Sequence, residues 1–218
     1  MPHTLSKSSL YVFRECPRCF WLQVNKRLRR PEGIYPSLPS GMDGVLKRHF
    51  DTFRERGKLP PELASLKGVK LFADKELLIT WTNNRKGVRW TDKDGNTFMG
   101  AVDDILVKGK KLIVLDFKTR GYALKEDTAA FSQDQLDMYT LLLQKNGYDT
   151  EDYAYLLFFY PESVHASGHF IFHADLVKMQ VNVRSAQKLW QDALACLNGP
   201  LPRPSEDCKF CAWQQVKA

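Results

Sequence analysis

An uninterrupted apolar run, Leu112-Ile113-Val114-Leu115, is the feature that most constrains the fold of this 218-residue chain. A strand with one face in water alternates apolar and polar residues, whereas a strand covered on both faces is apolar at successive positions. The run follows a tight turn at residues 108–110 and leads into charged residues. It therefore predicts a strand over residues 111–119, in the interior of a sheet that is covered on both faces.

The other patterns predict helices and strands in an order typical of an α/β protein. Apolar residues recur at helical spacing in four segments, residues 4–24, 40–57, 128–146 and 175–197. Ser40 and Asp175 are plausible caps of the second and fourth helices. Period-two or apolar segments predict strands at residues 77–81, 87–91, 97–107, 111–119, 153–160 and 169–173. We expect a mixed central sheet flanked by helices.

The length of the chain allows a real core and predicts a single domain over residues 1–218. We expect a helical N-terminal part at residues 1–68, a core at residues 69–175, and a C-terminal helix with a cysteine tail at residues 176–218.

No stretch approaches the roughly 18 apolar residues of a membrane span, and the first residues lack a signal-peptide pattern. These features predict a cytoplasmic protein.

Two aspartates and a lysine fall at matching positions of a predicted hairpin. Asp103 lies six residues before Gly109, and Asp116 lies seven residues after it. An antiparallel pair of strands that turns around Gly109 places the two carboxylates nearly opposite each other. Side chains alternate along a strand, so Asp116 and Lys118 share a face.

This combination of groups suits metal-dependent hydrolysis of a phosphodiester bond. Two carboxylates supply the hard oxygen ligands that Mg²⁺ or Mn²⁺ requires. Lys118 can stabilise the negative charge that develops on the phosphate, or orient the attacking water and help to deprotonate it. The alternative is that Asp103 and Asp116 only end their strands and that Lys118 is a solvated neighbour, because so short a motif often occurs by chance.

A longer set of motifs favours the catalytic interpretation. The segments GAVDDI, LIVLDFKT and QLDMY, with CPRCFWL near the start and CKFCAW near the end, resemble the RecB-like branch of the PD-(D/E)XK nucleases. They are especially similar to the CRISPR-associated exonucleases. The resemblance implies a restriction-endonuclease-like nuclease domain that acts as an exonuclease on DNA that is single-stranded or has free ends. It also implies protein partners in a repair or CRISPR pathway.

The resemblance also assigns roles to individual residues. Asp103 and Asp116 match the metal-binding positions of the family, and Lys118 matches its catalytic lysine. Gln135 and Tyr139 match an element that positions the lysine or the DNA strand, and their spacing of four places them on one helix face. Asp104 points to the other face of its strand and receives no ligand role.

The histidines fit this scheme less closely. The family has a metal-binding histidine four residues after a glycine, whereas His49 follows Gly44 by five. His49 is therefore a candidate Mg²⁺ or Mn²⁺ ligand or, equally, a core histidine. His169 and His173 are separated by four strand steps, roughly 13 Å, and cannot share one small ion. We interpret these two as structural or surface residues.

Four cysteines form two CxxC pairs near opposite ends of the chain: Cys16, Cys19, Cys208 and Cys211. Four thiolates suit one metal centre, and both zinc and an iron–sulfur cluster accept such a ligand set. The resemblance favours a 4Fe–4S cluster, although relatives commonly divide the ligands one and three, so zinc remains open. The pattern predicts that both ends of the chain meet at one place. Cys196 has no partner at metal spacing and is expected in the core.

The formal net charge of +7 favours an anionic partner such as nucleic acid or a membrane surface, although an excess of Lys and Arg this small is equally expected of residues that only solvate the surface. A basic run can contact phosphates without reading the base sequence: Lys26, Arg27, Arg29 and Arg30. Trp81, Trp90 and Tyr122 can stack on bases, but Trp residues in strands are more often core.

A second function class uses the same fold without catalysis. In that alternative the protein is a nucleic-acid-binding module that carries a structural zinc. Its site would have no need of the full set of polar residues that this sequence keeps: Asp103, Asp116, Lys118, Gln135 and Tyr139. We therefore expect a metal-dependent deoxyribonuclease.

Overall fold

The computed structural model describes residues 2–31 and 33–215 and has a mixed α/β architecture. Its strands are β1 (Thr4–Ser6), β2 (Val69–Leu71), β3 (Val88–Thr91), β4 (Thr97–Gly100), β5 (Asp104–Lys108), β6 (Lys111–Thr119), β7 (Tyr153–Val164) and β8 (Phe170–Gln180). Its α-helices are α1 (Lys7–Glu15), α2 (Pro17–Asn25), α3 (Ser37–Glu55), α4 (Lys75–Trp81), α5 (Gln133–Lys145), α6 (Val183–Asn198) and α7 (Lys209–Gln215). Short 3-10 turns occupy Pro61–Leu63 and Thr128–Ser132.

The strands form a five-stranded sheet and a three-stranded sheet. The larger sheet has the order β2-β5-β6-β7-β8, in which only β6 and β7 are parallel. Helix α5 makes the crossover that a parallel pair requires. The smaller sheet has the order β1-β4-β3, with β1 parallel to β4. The predicted mixed sheet flanked by helices is confirmed.

Strand β6 lies at the centre of the larger sheet and separates two apolar clusters. Leu112 and Val114 pack on one side with residues of α5 and α6, whereas Ile113 and Leu115 pack on the other side with residues of α3. The apolar run therefore has both faces covered, as its composition predicts. Asp116 follows on the α5 side, because alternate residues of β6 share a face.

Several predicted elements differ in the structure. Residues 77–81 belong to helix α4 instead of a strand, and Asp74 caps this helix by accepting a hydrogen bond from the Leu77 amide. A short apolar segment fits either structure, and the cap decides for the helix. Predicted strand 97–107 divides into β4 and β5, which lie in different sheets, so Asp103 lies in the connection between them.

The predicted helix over residues 175–197 is also wrong in its first third. Strand β8 continues to Gln180 because it pairs along β7, and helix α6 begins only at Val183 with Asn182 as its cap. Asp175 lies inside β8, so the domain boundary expected there falls within a strand. The single-domain expectation remains a prediction.

The predicted N-terminal helix begins later than expected and is broken once. Residues 4–6 form β1, and the rest divides into α1 and α2 at Cys16, whose backbone is extended. Pro17 explains the break, because proline disfavours helical geometry at the preceding residue and fits the first turn of a new helix. No helix of the described residues combines the length and the apolar character that crossing a membrane requires.

Gly100 allows α5 to approach β4 closely. A Cβ atom at this position would lie 2.7 Å from Cε1 of Tyr139 and 3.2 Å from Cδ1 of Leu142.

We predict that Gly100→Ala lowers the free energy of unfolding by about 1–3 kcal/mol, because the Tyr139 ring must move. Denaturant unfolding measures the change. Gly41→Ala in α3 is the matched control, since no atom lies within 4 Å of its added Cβ; an equal loss of stability in both variants contradicts the prediction.

Candidate active site and cysteine centre

The two aspartates meet at the end of β5 where β6 passes it. Asp104 pairs with Leu115 in the β5–β6 register, so Asp103 lies next to Asp116 across the ladder. Oδ2 of Asp103 accepts a hydrogen bond of 2.8 Å from the Phe117 amide. Asp116 is fully buried. The structure thus places the two carboxylates opposite each other, as the spacing around the turn predicts.

Lys118, Gln135 and Tyr139 surround the Asp116 carboxylate. Nζ of Lys118 lies 2.5 Å from Oδ2 of Asp116 and donates a hydrogen bond of 3.0 Å to Oε1 of Gln135. The Gln135 amide donates to Oδ1 of Asp116 and to the Tyr139 hydroxyl. Gln135 and Tyr139 share one face of α5, so a single helix positions both. The structure brings together all five residues that the sequence predicts as catalytic.

Two further lysines join this site. Nζ of Lys7, from the first turn of α1, donates a hydrogen bond of 3.2 Å to Oε1 of Gln135. Nζ of Lys47, from α3, lies 3.8 Å from Oδ1 of Asp103 and 2.8 Å from Oδ2 of Asp43. No sequence pattern indicated either lysine, because both come from distant segments and only the packing of α1 and α3 brings them here.

The charged groups of this site shift one another's pKa values. Burial, followed by repulsion from Asp116, raises the pKa of Asp103 to about 8. Burial and the two carboxylates raise the pKa of Tyr139, so its hydroxyl stays protonated. Burial, followed by repulsion from Lys118, lowers the pKa of Lys7. Two carboxylates held this close in a buried place are stable together only when positive charge compensates them.

The donor set fits a divalent cation. Asp103 and Asp116 offer carboxylate oxygens, the ligands that Mg²⁺ and Mn²⁺ prefer. Oδ2 of Asp116 is fully buried and has no hydrogen-bond partner, and its charged neighbour is the Lys118 ammonium at 2.5 Å. A divalent cation would be able to take the place of that ammonium beside the oxygen.

The four terminal cysteines converge as predicted. Cys16 lies at the junction of α1 and α2, Cys19 in the first turn of α2, and Cys208 and Cys211 at the start of α7. Their sulfur atoms all lie within 4.8 Å of one another, and all four residues are buried. The closest sulfur pairs are 3.5 Å apart, Cys19 with Cys208 and Cys19 with Cys211. They form no disulfide.

The thiols of this cluster are electrostatically uneven. Burial alone would raise the pKa of the Cys16 thiol, but hydrogen bonds from the backbone at Ser205 and Cys19 outweigh it and lower the pKa to about 6. Burial raises the pKa of Cys19 and of Cys211. One thiolate next to protonated thiols is the state expected of a ligand set before a metal replaces the protons.

Comparison with known proteins identifies the family. The sequence model of the PD-(D/E)XK nuclease superfamily matches residues 4–216, nearly the whole chain. The protein belongs to the PD-(D/E)XK nuclease superfamily. No curated protein matches the sequence. A solved structure titled "Crystal structure of SSO0001" is similar at 15% sequence identity with a TM-score of 0.49, and the match covers 99% of this chain and 86% of that chain.

His49 contacts Glu62 instead of either predicted metal-binding aspartate. Its Nε2 atom lies 3.1 Å from Oε1 of Glu62, and its ring packs edge-on against Phe50 and Phe53. Among the described residues, the only group of three or more His, Cys, Asp or Glu side chains whose donor atoms lie within 4.8 Å of one another is the four cysteines. The role of His49 as a metal ligand stays a prediction.

Other residues singled out from the sequence have structural surroundings. Asp104 is buried and forms an ion pair with Nη2 of Arg54 at 2.7 Å, so its carboxylate is already paired. His173 pairs with Asp175 at 3.0 Å, and His169 contacts Ser167. Cys196 is half-buried in α6 beside the backbone of Pro17.

The basic run contains three exposed residues and one half-buried residue, Arg30. Lys26, Arg27 and Arg29 are exposed and can meet phosphates. Arg30 instead forms an ion pair with Glu15, lies 3.8 Å from the Cys208 sulfur and stacks 4.6 Å above the Phe210 ring. It therefore belongs to the cysteine centre.

The three aromatic candidates also divide. Trp81 is buried and stacks on Phe72, and Trp90 packs edge-on against Trp190, so both are core residues. Tyr122 is exposed.

The raised pKa of Asp103 predicts a pH dependence of stability. The folded protein without bound cation keeps a proton on Asp103 that the unfolded chain has released, between about pH 4 and pH 8. The unfolded state binds fewer protons in this window, so the free energy of unfolding falls as the pH rises through it. Asp103→Asn should flatten the decline. Urea unfolding in a metal chelator at several pH values measures both slopes, and identical slopes in the two proteins contradict the assignment.

The cysteine cluster predicts that the purified protein contains metal. Cys208→Ser should remove that metal and a large part of the stability, because the free energy of metal binding at such a site becomes free energy of folding. Cys196→Ser is the matched control and should retain both. Elemental analysis and thermal unfolding of protein purified without oxygen make the measurement. A well-folded wild-type protein without any bound metal contradicts the prediction.

Proposed function

We propose that the protein is a divalent-metal-dependent deoxyribonuclease that hydrolyses phosphodiester bonds of DNA as an exonuclease. One observation carries the proposal: Lys118 and Gln135 contact the buried Asp116 carboxylate on β6, and Asp103 lies beside Asp116 just before β5, where it accepts a hydrogen bond from the Phe117 amide. Apolar residues of similar volume would stabilise the fold at least as well as these charged and polar groups. The free-energy cost of burying the polar groups therefore suggests that they serve a function. The sequence motifs support the RecB-like branch and the resemblance to CRISPR-associated exonucleases.

Asp103 and Asp116 would hold Mg²⁺ or Mn²⁺ at the scissile phosphate. The cation would supply a Lewis acid and a water of lowered pKa. Lys118, which contacts Asp116, would place its ammonium where it stabilises the negative charge that develops on the phosphate. Gln135 keeps Lys118 in place through a hydrogen bond of 3.0 Å. Tyr139 in turn orients Gln135.

The surface charge supports a nucleic acid as the substrate. The chain carries a net charge of +7, and Lys7, Lys47 and Lys118 surround the carboxylates. These lysines would contact the phosphates on either side of the bond that is cut. Such contacts give affinity that does not depend on base sequence and that falls steeply with salt. Partners from a DNA repair or CRISPR pathway would be consistent with this activity.

The cysteine centre would hold the two ends of the chain together through one metal. Four sulfurs placed tetrahedrally about 2.3 Å from one zinc ion lie about 3.8 Å apart. The sulfur pairs Cys16–Cys211 and Cys19–Cys208 are 3.9 Å and 3.5 Å apart, which supports a single ion of this kind. A 4Fe–4S cluster, which the family resemblance favours, occupies more space and requires the sulfurs to move apart. One zinc or four irons per chain distinguishes the two.

Active-site variants test the nuclease function. Asp116→Ala should abolish cleavage of end-labelled DNA in Mg²⁺ or Mn²⁺, because a metal ligand is lost. Lys118→Ala should lower kcat on the order of a hundredfold with little change in DNA affinity, because the lysine acts mainly in the transition state.

Asp192→Ala and Lys188→Ala are the matched controls, since these residues form an exposed ion pair on α6. Cleavage that persists in Asp116→Ala with metal chelated would refute the mechanism. Wild-type protein that binds DNA but never cuts it would favour the alternative of a non-catalytic binding module.

A further inference from the structure

A groove between α1 and α5 opens directly beside the carboxylate site. It has a volume of about 300 Å³, at the lower end of the range for small-ligand sites. Lys7 of α1 and Gln135 of α5 line it, and the same two residues are hydrogen-bonded to each other in the active site. The groove is therefore continuous with the place where the scissile phosphate would lie.

Two exposed aromatic side chains form the walls of the groove. Tyr11 comes from α1, one turn after Lys7, and 57% of its surface is exposed. Phe131 comes from the 3-10 turn before α5 and is 82% exposed. Exposure of the Phe131 ring to water costs free energy that a bound ligand would recover by covering the ring. Exposed apolar surface bordered by polar groups is typical of a binding site.

An ion pair between α1 and α5 also lines the groove. Both guanidinium contacts of Arg14 with the Asp134 carboxylate measure 3.0 Å, and this pair joins α1 to α5. The charges of Arg14 and Asp134 cancel each other, so Lys7 supplies the net positive charge of the groove. The ammonium of Lys7 has three donors, and Gln135 is its one hydrogen-bond acceptor among the described residues.

We propose that this groove is a subsite for one unpaired nucleotide of the substrate, next to the scissile phosphate. Lys7 binds the phosphate of that nucleotide, and Tyr11 and Phe131 stack against its base. A cation beside aromatic faces matches the two parts of a nucleotide, and stacking is tolerant of base identity. The stacked base must lie outside a duplex, because a paired base has both faces covered by its neighbours. The inference rests on the proposed nuclease function and extends it to a single-stranded segment at the cut.

A binding cycle between protein and DNA tests the stacking. Single-stranded oligonucleotides that carry one abasic site at successive positions are titrated by fluorescence anisotropy in a metal chelator, so that no cleavage occurs. In the wild-type protein, one abasic position should weaken binding on the order of tenfold. The double variant Tyr11→Ala/Phe131→Ala should bind intact DNA on the order of tenfold more weakly than the wild type does. An abasic site at the same position should not weaken binding by the double variant any further.

Matched variants separate stacking from folding. Phe131→Trp should bind like the wild type because it keeps an aromatic face. Phe170→Ala removes an aromatic residue of similar exposure at the start of β8, outside the groove, and should also bind normally. Thermal unfolding checks that all variants fold. An abasic penalty of unchanged size in the double variant overturns the proposal.

Lys7 has its own test. Lys7→Gln should weaken binding severalfold and reduce the slope of log affinity against log salt concentration by roughly one unit, because one phosphate contact is lost. Lys7→Arg should retain both, and Lys188→Gln on exposed α6 is the control. An unchanged salt slope in Lys7→Gln removes the phosphate from this subsite and overturns the proposal.

The outcomes distinguish the subsite from the nuclease. Normal cleavage of DNA by the wild-type protein without a position-specific abasic effect refutes the subsite and leaves the nuclease intact. An abasic effect without any cleavage supports the subsite and refutes the nuclease. Failure to bind any oligonucleotide overturns both.

Discussion

The burial of Asp116 in the central strand is the constraint around which the active site is organised. Strand β6 is held by β5 on one side and β7 on the other and is covered by helices, so Asp116 has no contact with water. A carboxylate in such a place costs several kcal/mol unless charge or hydrogen bonds compensate it. Lys118 and Gln135 provide that compensation, and Gln135 ties β6 to α5. The polar network therefore depends on the same packing that forms the core.

The second carboxylate adds negative charge beside Asp116. Asp103 faces Asp116 across the β5–β6 ladder, and burial together with repulsion from Asp116 raises the pKa of Asp103 to about 8. Three lysines from three different elements, α1, α3 and β6, approach the pair. Substrate and metal would thus meet a site whose charges are already in place, which lowers the reorganisation needed during the reaction. The cost of this preorganisation is lower stability of the metal-free protein.

The cysteine centre contributes to the same geometry from a distance. Cys16 lies at the junction of α1 and α2, and Cys208 and Cys211 bring the C-terminal end of the chain to that junction. Helix α1 carries Lys7 to Gln135 and Arg14 to Asp134, so the position of its C-terminal end affects the site at its N-terminal end. A metal that fixes the junction restricts the motion of α1 and would keep both lysine and groove aligned. Helix α1 therefore links the cysteine cluster to the candidate active site.

The sequence alone determined β6, the facing carboxylates and the convergence of the cysteines. These features depend on local patterns: an apolar run, alternation along a hairpin, and paired thiols that few other arrangements satisfy. Tertiary structure decided the rest. Residues 77–81 became a helix, and β8 continued through Asp175, because capping and pairing with β7 outweigh an ambiguous local pattern. Lys7 and Lys47 reached the site, and His49 turned to Glu62, through packing of helices far away in sequence, which no local periodicity encodes.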